Sequence, residues 1–132
     1  MVIFLSYRNI FNNDQIKDLS EYHIVLISGI ANTDGLTTHL NKKTTISKHF
    51  KFKDHHNFSN EDINDILLYY NSIRKIKKLI LTTEKDSIRL LKFEKKLKGT
   101  LVCYLPIKIK FKNRLIFDKE IKEYVRKNKR NS

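Results

Sequence analysis

The chain has 132 residues, of which 40% are hydrophobic and 31% are charged. This length and balance fit one globular domain with at most a short extension, and they exclude an intrinsically disordered chain. No apolar run approaches the ~20 residues that a membrane span requires, and the first residues lack the basic segment of a signal peptide. The one cysteine, Cys103, lies in an apolar run, which predicts a buried thiol in a reducing, cytoplasmic compartment.

The charge is strongly positive: 27 Lys and Arg face 14 Asp and Glu, a formal net charge of +13 at pH 7. Such a field attracts polyanions, including nucleic acid, an anionic membrane surface or a phosphorylated substrate. An AT-rich genome would produce the same excess, because its codon bias enriches Lys, Asn and Ile together. Both interpretations of the charge remain open.

Apolar runs and alternating patterns predict the following elements in chain order. The predicted strands are residues 2–5, 23–28, 44–52, 78–82, 100–105 and 107–111, with a hairpin turn at 113–114 leading into 115–117. The predicted helices are residues 33–40, 60–75, 83–97 and 119–129. Residues 7–18 are polar and predict a connection. The alternation of strand and helix indicates an α/β fold: an open, mostly parallel, Rossmann-like sheet with helices on both faces, followed by a C-terminal hairpin and helix.

Two helix starts carry capping signals. Ser59 is followed three residues later by Asp62, and Thr83 is followed three residues later by Asp86. A side-chain hydroxyl at the N-cap with an acid at the third helical position satisfies free backbone N–H groups at the start of a helix. These pairs predict helices that begin directly after residues 59 and 83.

Three polar stretches follow the predicted parallel strands: Gly29–Asn32, Asp54-His55-His56 and Thr83–Asp86. Ligands of open parallel sheets bind beyond the carboxyl ends of the strands. Each stretch also precedes a helix N-terminus, whose free N–H groups suit an anion. The sequence therefore predicts that the three stretches lie at one edge of the sheet, although capping alone would also explain Thr83 and Asp86.

The residue types at this edge suggest proton transfer and phosphate contact. An imidazole titrates near neutral pH, and Asp54 could orient the ring of a neighbouring histidine. Lys85 could contact a phosphate, or it could be a solvated lysine at a helix start. A zinc site needs three or four converging ligands. Two adjacent histidines and the distant Cys103 do not supply them, so we predict no metal site in this chain.

Together these motifs resemble the C-terminal part of the tetraacyldisaccharide 4'-kinases, the lipid A kinases of Gram-negative bacteria. The matching stretches are Ser28-Gly29-Ile30-Ala31-Asn32, Phe52-Lys53-Asp54-His55-His56-Asn57-Phe58-Ser59 with Asp62, and Leu81-Thr82-Thr83-Glu84-Lys85-Asp86. The resemblance extends from about residue 2 to about residue 117. The family usually has proline after Gly-Ile-Ala-Asn, where this chain has Thr33.

The resemblance implies transfer of the ATP γ-phosphate, with Mg²⁺, to the 4'-hydroxyl of the lipid A disaccharide-1-phosphate precursor. It implies a location at the cytoplasmic face of the inner membrane, an anionic glycolipid substrate, and a P-loop N-terminal domain as partner in the same or a separate chain. It places His55 and Asp54 at the catalytic site, paired with an aspartate base of the N-terminal domain. The further residues that it implies as site-lining are His56, Asn32, Thr83, Glu84, Lys85 and Asp86.

The sequence departs from a whole kinase of this type. It contains no Gly-x-x-x-x-Gly-Lys-Ser/Thr, and its three glycines cannot supply one. We therefore interpret residues 1–20 as a remnant of the interdomain hairpin with a connection, and residues 21–132 as the C-terminal α/β domain. Phosphoryl transfer depends on positioning the nucleotide and metal. We expect this chain by itself to bind neither ATP nor Mg²⁺ and to be inactive.

Two other classes of function remain as alternatives. A small basic nucleic-acid-binding α/β protein would explain the charge, but the sequence shows no RNP-like aromatic strand. A metal-dependent phosphoesterase of the Asp-His-His type would need further upstream aspartates in an Asp-x-Asp-like arrangement. The chain offers Asp14, Asp18 and Asp34 before the motif.

Overall fold

The computed structural model describes residues 2–3, 6–30, 33–106 and 108–109. These residues belong to two compact units. The larger unit covers residues 6–106, and the smaller contains the two short strands at residues 2–3 and 108–109, which pair in antiparallel register. The structure groups residues 6–20 with the larger unit. The interpretation of residues 1–20 as a remnant of an interdomain hairpin stays a prediction.

The elements follow one another as a short hairpin and then a strand-helix alternation. The strands are β1 (Val2–Ile3), β2 (Tyr7–Asn9), β3 (Gln15–Ile16), β4 (His23–Ser28), β5 (Thr45–Lys51), β6 (Lys78–Thr83), β7 (Val102–Leu105) and β8 (Lys108–Ile109). The helices are α1 (Asp34–Asn41), α2 (Asn60–Ser72), α3 (Glu84–Leu90) and α4 (Glu94–Leu97), with a 3₁₀ turn at Leu91–Phe93. In the described part of the chain, no helix is long and apolar enough to span a bilayer.

The sheet of the larger unit has the strand order β3-β2-β7-β6-β4-β5. The pairs β4–β5, β4–β6 and β6–β7 are parallel, whereas β2 pairs antiparallel with both β3 and β7. This architecture confirms the predicted open, mostly parallel α/β sheet, and it adds an antiparallel edge that the sequence does not predict. The strands β4 and β6 are buried on both faces, as their continuous apolar runs predict.

The chain changes direction across the sheet at β4. From β4 the chain passes to β5, the neighbouring strand on one side within the sheet. It then crosses back over β4 to β6, the neighbouring strand on the other side. Because parallel crossovers are right-handed, these two steps put α1 and α2 on opposite faces of the sheet. The carboxyl ends of β4 and β6 therefore form a switch point, the place where ligands of such sheets bind.

The main core lies between one face of the sheet and the helices α2, α3 and α4. Alternate sheet residues, Val25, Ile27, Ile80 and Val102, point into this core. The helical residues packed there are Ile63, Ile66, Tyr70, Leu90, Phe93 and Leu97, together with Phe58. The spacing of these residues in α2 is helical, so one face of the helix is buried while Leu68 on the opposite face remains exposed.

The prediction of a connection at residues 7–18 was wrong. These residues form the β2–β3 hairpin, and β2 adds to the sheet beside β7. Its three residues are too few to show a clear apolar period, and the strand depends on pairing with β7 and on burial of Tyr7. The helix predicted at 83–97 is interrupted by the 3₁₀ turn. The hairpin and strand predicted at 113–117 and the helix predicted at 119–129 lie outside the described residues.

Candidate functional site

The three loops that follow β4, β5 and β6 meet at the carboxyl edge of the sheet, as the topology predicts. The N–H of His55, in the loop after β5, donates to the carbonyl oxygen of Gly29, in the loop after β4, at 3.1 Å. The Gly29 N–H donates to Oδ2 of Asp86, in α3 after β6, at 2.7 Å. Backbone and side-chain hydrogen bonds thus join the loops after β5, β4 and β6 in that order.

The carboxylate of Asp86 is the centre of this arrangement and is fully buried. Its Oδ2 accepts from the Gly29 N–H and from the Thr83 hydroxyl at 2.7 Å, and its Oδ1 accepts from Arg89 Nη1 at 3.0 Å. The Thr83 oxygen in turn accepts from the Asp86 N–H at 3.1 Å. A buried carboxylate is tolerated because its oxygens are hydrogen-bonded and a guanidinium pairs with its charge.

Gly29 lies where two loops approach each other closely. A Cβ at this position would lie 3.1 Å from Asp86 Oδ1 and 3.3 Å from the Lys53 carbonyl oxygen. Any larger residue would therefore have to displace the carboxylate or the loop after β5. The small residue that the sequence places after β4 permits the contact between the three loops.

His55 lies at the surface of this edge in a left-handed backbone conformation, with a φ of 63°. Such a φ is uncommon for a residue with a side chain, although His is enriched there. The conformation is held by the His55 N–H bond to Gly29 and by the His56 N–H, which donates to the Lys53 carbonyl at 3.1 Å. The turn leaves the His55 side chain 69% exposed.

The two ring nitrogens of His55 have different partners. Nδ1 lies 3.2 Å from Arg89 Nη2, and Nε2 lies 3.6 Å from Asp54 Oδ2. A guanidinium can only donate, so Nδ1 accepts and the neutral ring carries its proton on Nε2. The ring therefore presents an N–H at the exposed edge, beside the Asp54 carboxylate.

Arg89 is the residue that the sequence interpretation missed. Its guanidinium bridges two residues: Nη1 contacts Asp86, and Nη2 contacts His55. The signal that could have found it is the spacing of three residues from Asp86, which places both side chains on one side of the predicted helix. The contact with His55 comes from a different loop and has no signal in the sequence.

His56 faces away from this cluster. Its Nε2 lies 2.8 Å from Asp62 Oδ2, and its ring stacks on Phe52 with a centroid distance of 4.6 Å. Asp62 also accepts the Ser59 N–H at 2.9 Å and completes the predicted capping box of α2. His56 therefore fixes the start of α2, and a direct role of its ring at the site stays a prediction.

The remaining predicted site residues have less defined surroundings. Glu84 and Lys85 are exposed in the first turn of α3, and in the part of the chain that the structure describes their side chains form no hydrogen bond or ion pair. Asn32 lies outside the described residues. Among the residues that are described, no group of three acidic, His or Cys side chains is placed to share a metal ion.

Three further polar residues lie in the sheet: Ser28 and Cys103 are buried, and His49 is half-buried. The Ser28 hydroxyl lies 2.6 Å from His49 Nε2 at the end of β4, and burial, aided by the nearby Lys51, lowers the pKa of His49. Cys103 is buried in β7, and burial raises the pKa of its thiol to about 12. The prediction of a buried thiol is confirmed.

We predict that Asp86→Asn strongly destabilises the protein. The substitution removes the charge that pairs with Arg89 and replaces an acceptor by an amide donor facing other donors, so the free energy of unfolding should fall by about 3–5 kcal/mol. Urea unfolding measures this loss. Glu84→Gln, an exposed acid in the same helical turn, is the control. A loss from Asp86→Asn no greater than the control's would contradict the account.

We also predict a loss of stability in acid that depends on Asp62. Partial burial is the largest single influence on its carboxyl group and opposes ionisation, but the hydrogen bonds from His56 and Ser59 together lower its pKa. A lowered folded-state pKa stabilises the protein above the unfolded value of about 3.9, and this contribution is lost as the pH falls through the folded value. Asp62→Asn should therefore flatten the fall in unfolding free energy below about pH 4.

Urea unfolding over a pH series would measure this slope. Asp65→Asn, which removes an exposed acid from the same helix, should keep the wild-type slope. If Asp62→Asn kept the wild-type dependence of the unfolding free energy on pH, the His56–Asp62 pair would make no contribution to stability in acid.

The chain is similar to known proteins along most of its length. Residues 3–126 match the family model of LpxK, tetraacyldisaccharide-1-P 4'-kinase. A tetraacyldisaccharide 4'-kinase of Bacteroides fragilis is 36% identical over 116 residues, which cover 85% of this chain and 31% of that protein. The enzyme of Phocaeicola vulgatus is 36% identical over 127 residues, or 92% of this chain and 34% of that protein. The chain thus spans about a third of the length of these curated relatives.

A solved structure shares the fold. It is the "apo" form of LpxK from Aquifex aeolicus in complex with ATP, with a TM-score of 0.52 and 20% identity, covering 93% of this chain and 34% of that one. At this identity the likeness concerns the fold alone. The match of the family model over residues 3–126 and the curated relatives show that the chain belongs to the tetraacyldisaccharide 4'-kinase family.

Proposed function

We propose that this chain supplies the His55 edge of a tetraacyldisaccharide 4'-kinase, which transfers the ATP γ-phosphate to the 4'-hydroxyl of the lipid A disaccharide-1-phosphate precursor. The observation that carries the proposal is the geometry of His55. Its ring stands exposed at the switch point of the sheet, in a chain of this kinase family, with Nδ1 hydrogen-bonded to Arg89 and Nε2 3.6 Å from Asp54.

In this proposal, ATP and Mg²⁺ are held mainly by a P-loop part outside this chain. The 132-residue sequence contains no P-loop motif, and the described residues contain no cluster of metal ligands. The residues that the structure describes therefore do not fit a nucleotide-metal site of their own. We expect the chain alone to show no phosphoryl transfer, and we expect the P-loop part, in the same or a separate chain, to be its partner.

His55 and Asp54 would act on the proton of the reacting hydroxyl through a carboxylate base of that partner. The 4'-oxygen attacks the γ-phosphorus, the bond to ADP breaks, and the hydroxyl proton passes to the base. The exposed Nε2–H of His55 is a donor that can orient such a carboxylate, and Asp54 Oδ2 lies 3.6 Å from the same nitrogen.

The excess of basic residues supports an anionic partner surface. With a net charge of +13, the chain would be attracted to the phosphorylated glycolipid and to the cytoplasmic face of the inner membrane that contains it. This location follows from the proposed substrate.

The test is a chimera in which this chain replaces the matching third of the Bacteroides fragilis relative. We expect ATP-dependent phosphorylation of the disaccharide-1-phosphate lipid by the chimera and none by the chain alone. His55→Asn should lower kcat by roughly a hundredfold or more, the range of a lost proton-transfer group. Asparagine tolerates a positive φ, so this variant removes the imidazole while keeping the loop.

His23→Asn is the matched control, because His23 begins β4 at the opposite edge of the sheet. It should leave kcat within about twofold of the unsubstituted chimera, since surface changes away from a site have small effects. A folded chimera without activity, or equal losses in the two variants, would contradict the proposal.

A further inference from the structure

We propose that Arg89 is a positioning residue for His55, and that its two terminal nitrogens perform separate tasks. Nη1 holds the buried carboxylate of Asp86 at 3.0 Å, while Nη2 donates to Nδ1 of His55 at 3.2 Å. The inference rests on the proposed function only for its effect on catalysis, because the effect on the ring is a property of this chain by itself.

Exposure increases along the series of contacts from Asp86 through Arg89 to His55. Asp86 is fully buried, the Arg89 side chain is 25% exposed, and the His55 side chain is 69% exposed. A long side chain anchored at a buried charge can restrict an exposed group that has little packing of its own. The guanidinium is planar and rigid, so fixing Nη1 on Asp86 also fixes the direction of Nη2.

The contact with Arg89 also determines which nitrogen of the neutral His55 ring carries the proton. A free neutral imidazole exchanges its proton between the two nitrogens, and the hydrogen bond made by one nitrogen decides the form. Arg89 has no acceptor and cannot lose its charge, so the Nδ1 that it contacts must remain unprotonated in the neutral ring. Arg89 therefore keeps the proton on Nε2, directed toward Asp54 and the exposed edge.

Arg89 also connects the His55 ring to the hydrogen bonds that join the loops after β4, β5 and β6. Asp86 receives the Gly29 N–H, and the Gly29 carbonyl receives the His55 N–H, so the backbone and the ring of His55 depend on the same carboxylate. The backbone route sets the position of His55, and the Arg89 route sets the orientation and the protonation form of its ring.

The variant Arg89→Lys separates positioning from simple charge pairing. Lysine keeps a positive charge for Asp86, but its single ammonium lacks the rigid fork that directs a second donor to His55. We expect an unfolding midpoint close to wild type. We also expect the ring signals of His55, read by ¹⁵N NMR of the full chain and assigned with His55→Asn, to change from one neutral tautomer to a mixture.

Kinetics of the chimera provide the second readout. In Arg89→Lys, kcat should fall by between about tenfold and a hundredfold, with the KM for ATP unchanged, as expected when a catalytic group is misplaced. Lys92→Ala, one turn further along the chain and exposed, is the control and should leave both readouts unchanged.

Two results would overturn the inference. A wild-type chain whose His55 ring already shows both neutral tautomers would show that Arg89 does not fix the proton. Wild-type ring signals in Arg89→Lys would show that Arg89 only pairs with Asp86. Both are NMR results on this chain, so they remain decisive even if the chimera proves inactive and the proposed function fails.

Discussion

The buried carboxylate of Asp86 is the constraint on which the candidate site depends. It accepts from the backbone of the loop after β4, from the hydroxyl that caps its own helix, and from the guanidinium that reaches the loop after β5. A buried charge is costly to leave unpaired, so each of these donors is held in place by the same requirement. The site is therefore built around an anion that belongs to the protein itself.

The sheet topology explains why these groups can meet. Because β5 and β6 lie on opposite sides of β4, the loops that leave their carboxyl ends converge beyond the end of β4. Gly29 then permits two of the loops to approach within van der Waals distance. The left-handed turn at His55 directs its ring outward from this contact. The combination places a hydrogen-bonded interior below an exposed histidine.

The sequence predicts the parallel centre of the fold well, because β4 and β6 are continuous apolar runs and α2 has both a helical period and a capping box. It predicts the convergence of the three loops from topology alone. It does not predict the β2–β3 hairpin, because Tyr7–Asn9 is short and becomes a strand through pairing with β7. It also cannot separate the two adjacent histidines. Their different contacts arise from the positive φ of His55, which turns one ring toward Arg89 and leaves the other on Phe52 and Asp62.

Amide hydrogen exchange at Gly29 tests this account most directly, because its N–H donates to Asp86 in the interior. The account predicts that this amide, although it lies beyond the end of a strand, exchanges as slowly as the amides of the central strand β4, such as that of Ile27. Exchange of the Gly29 amide at the rate of an unprotected loop, while the β4 amides stay protected, would contradict a carboxylate that ties the loops together.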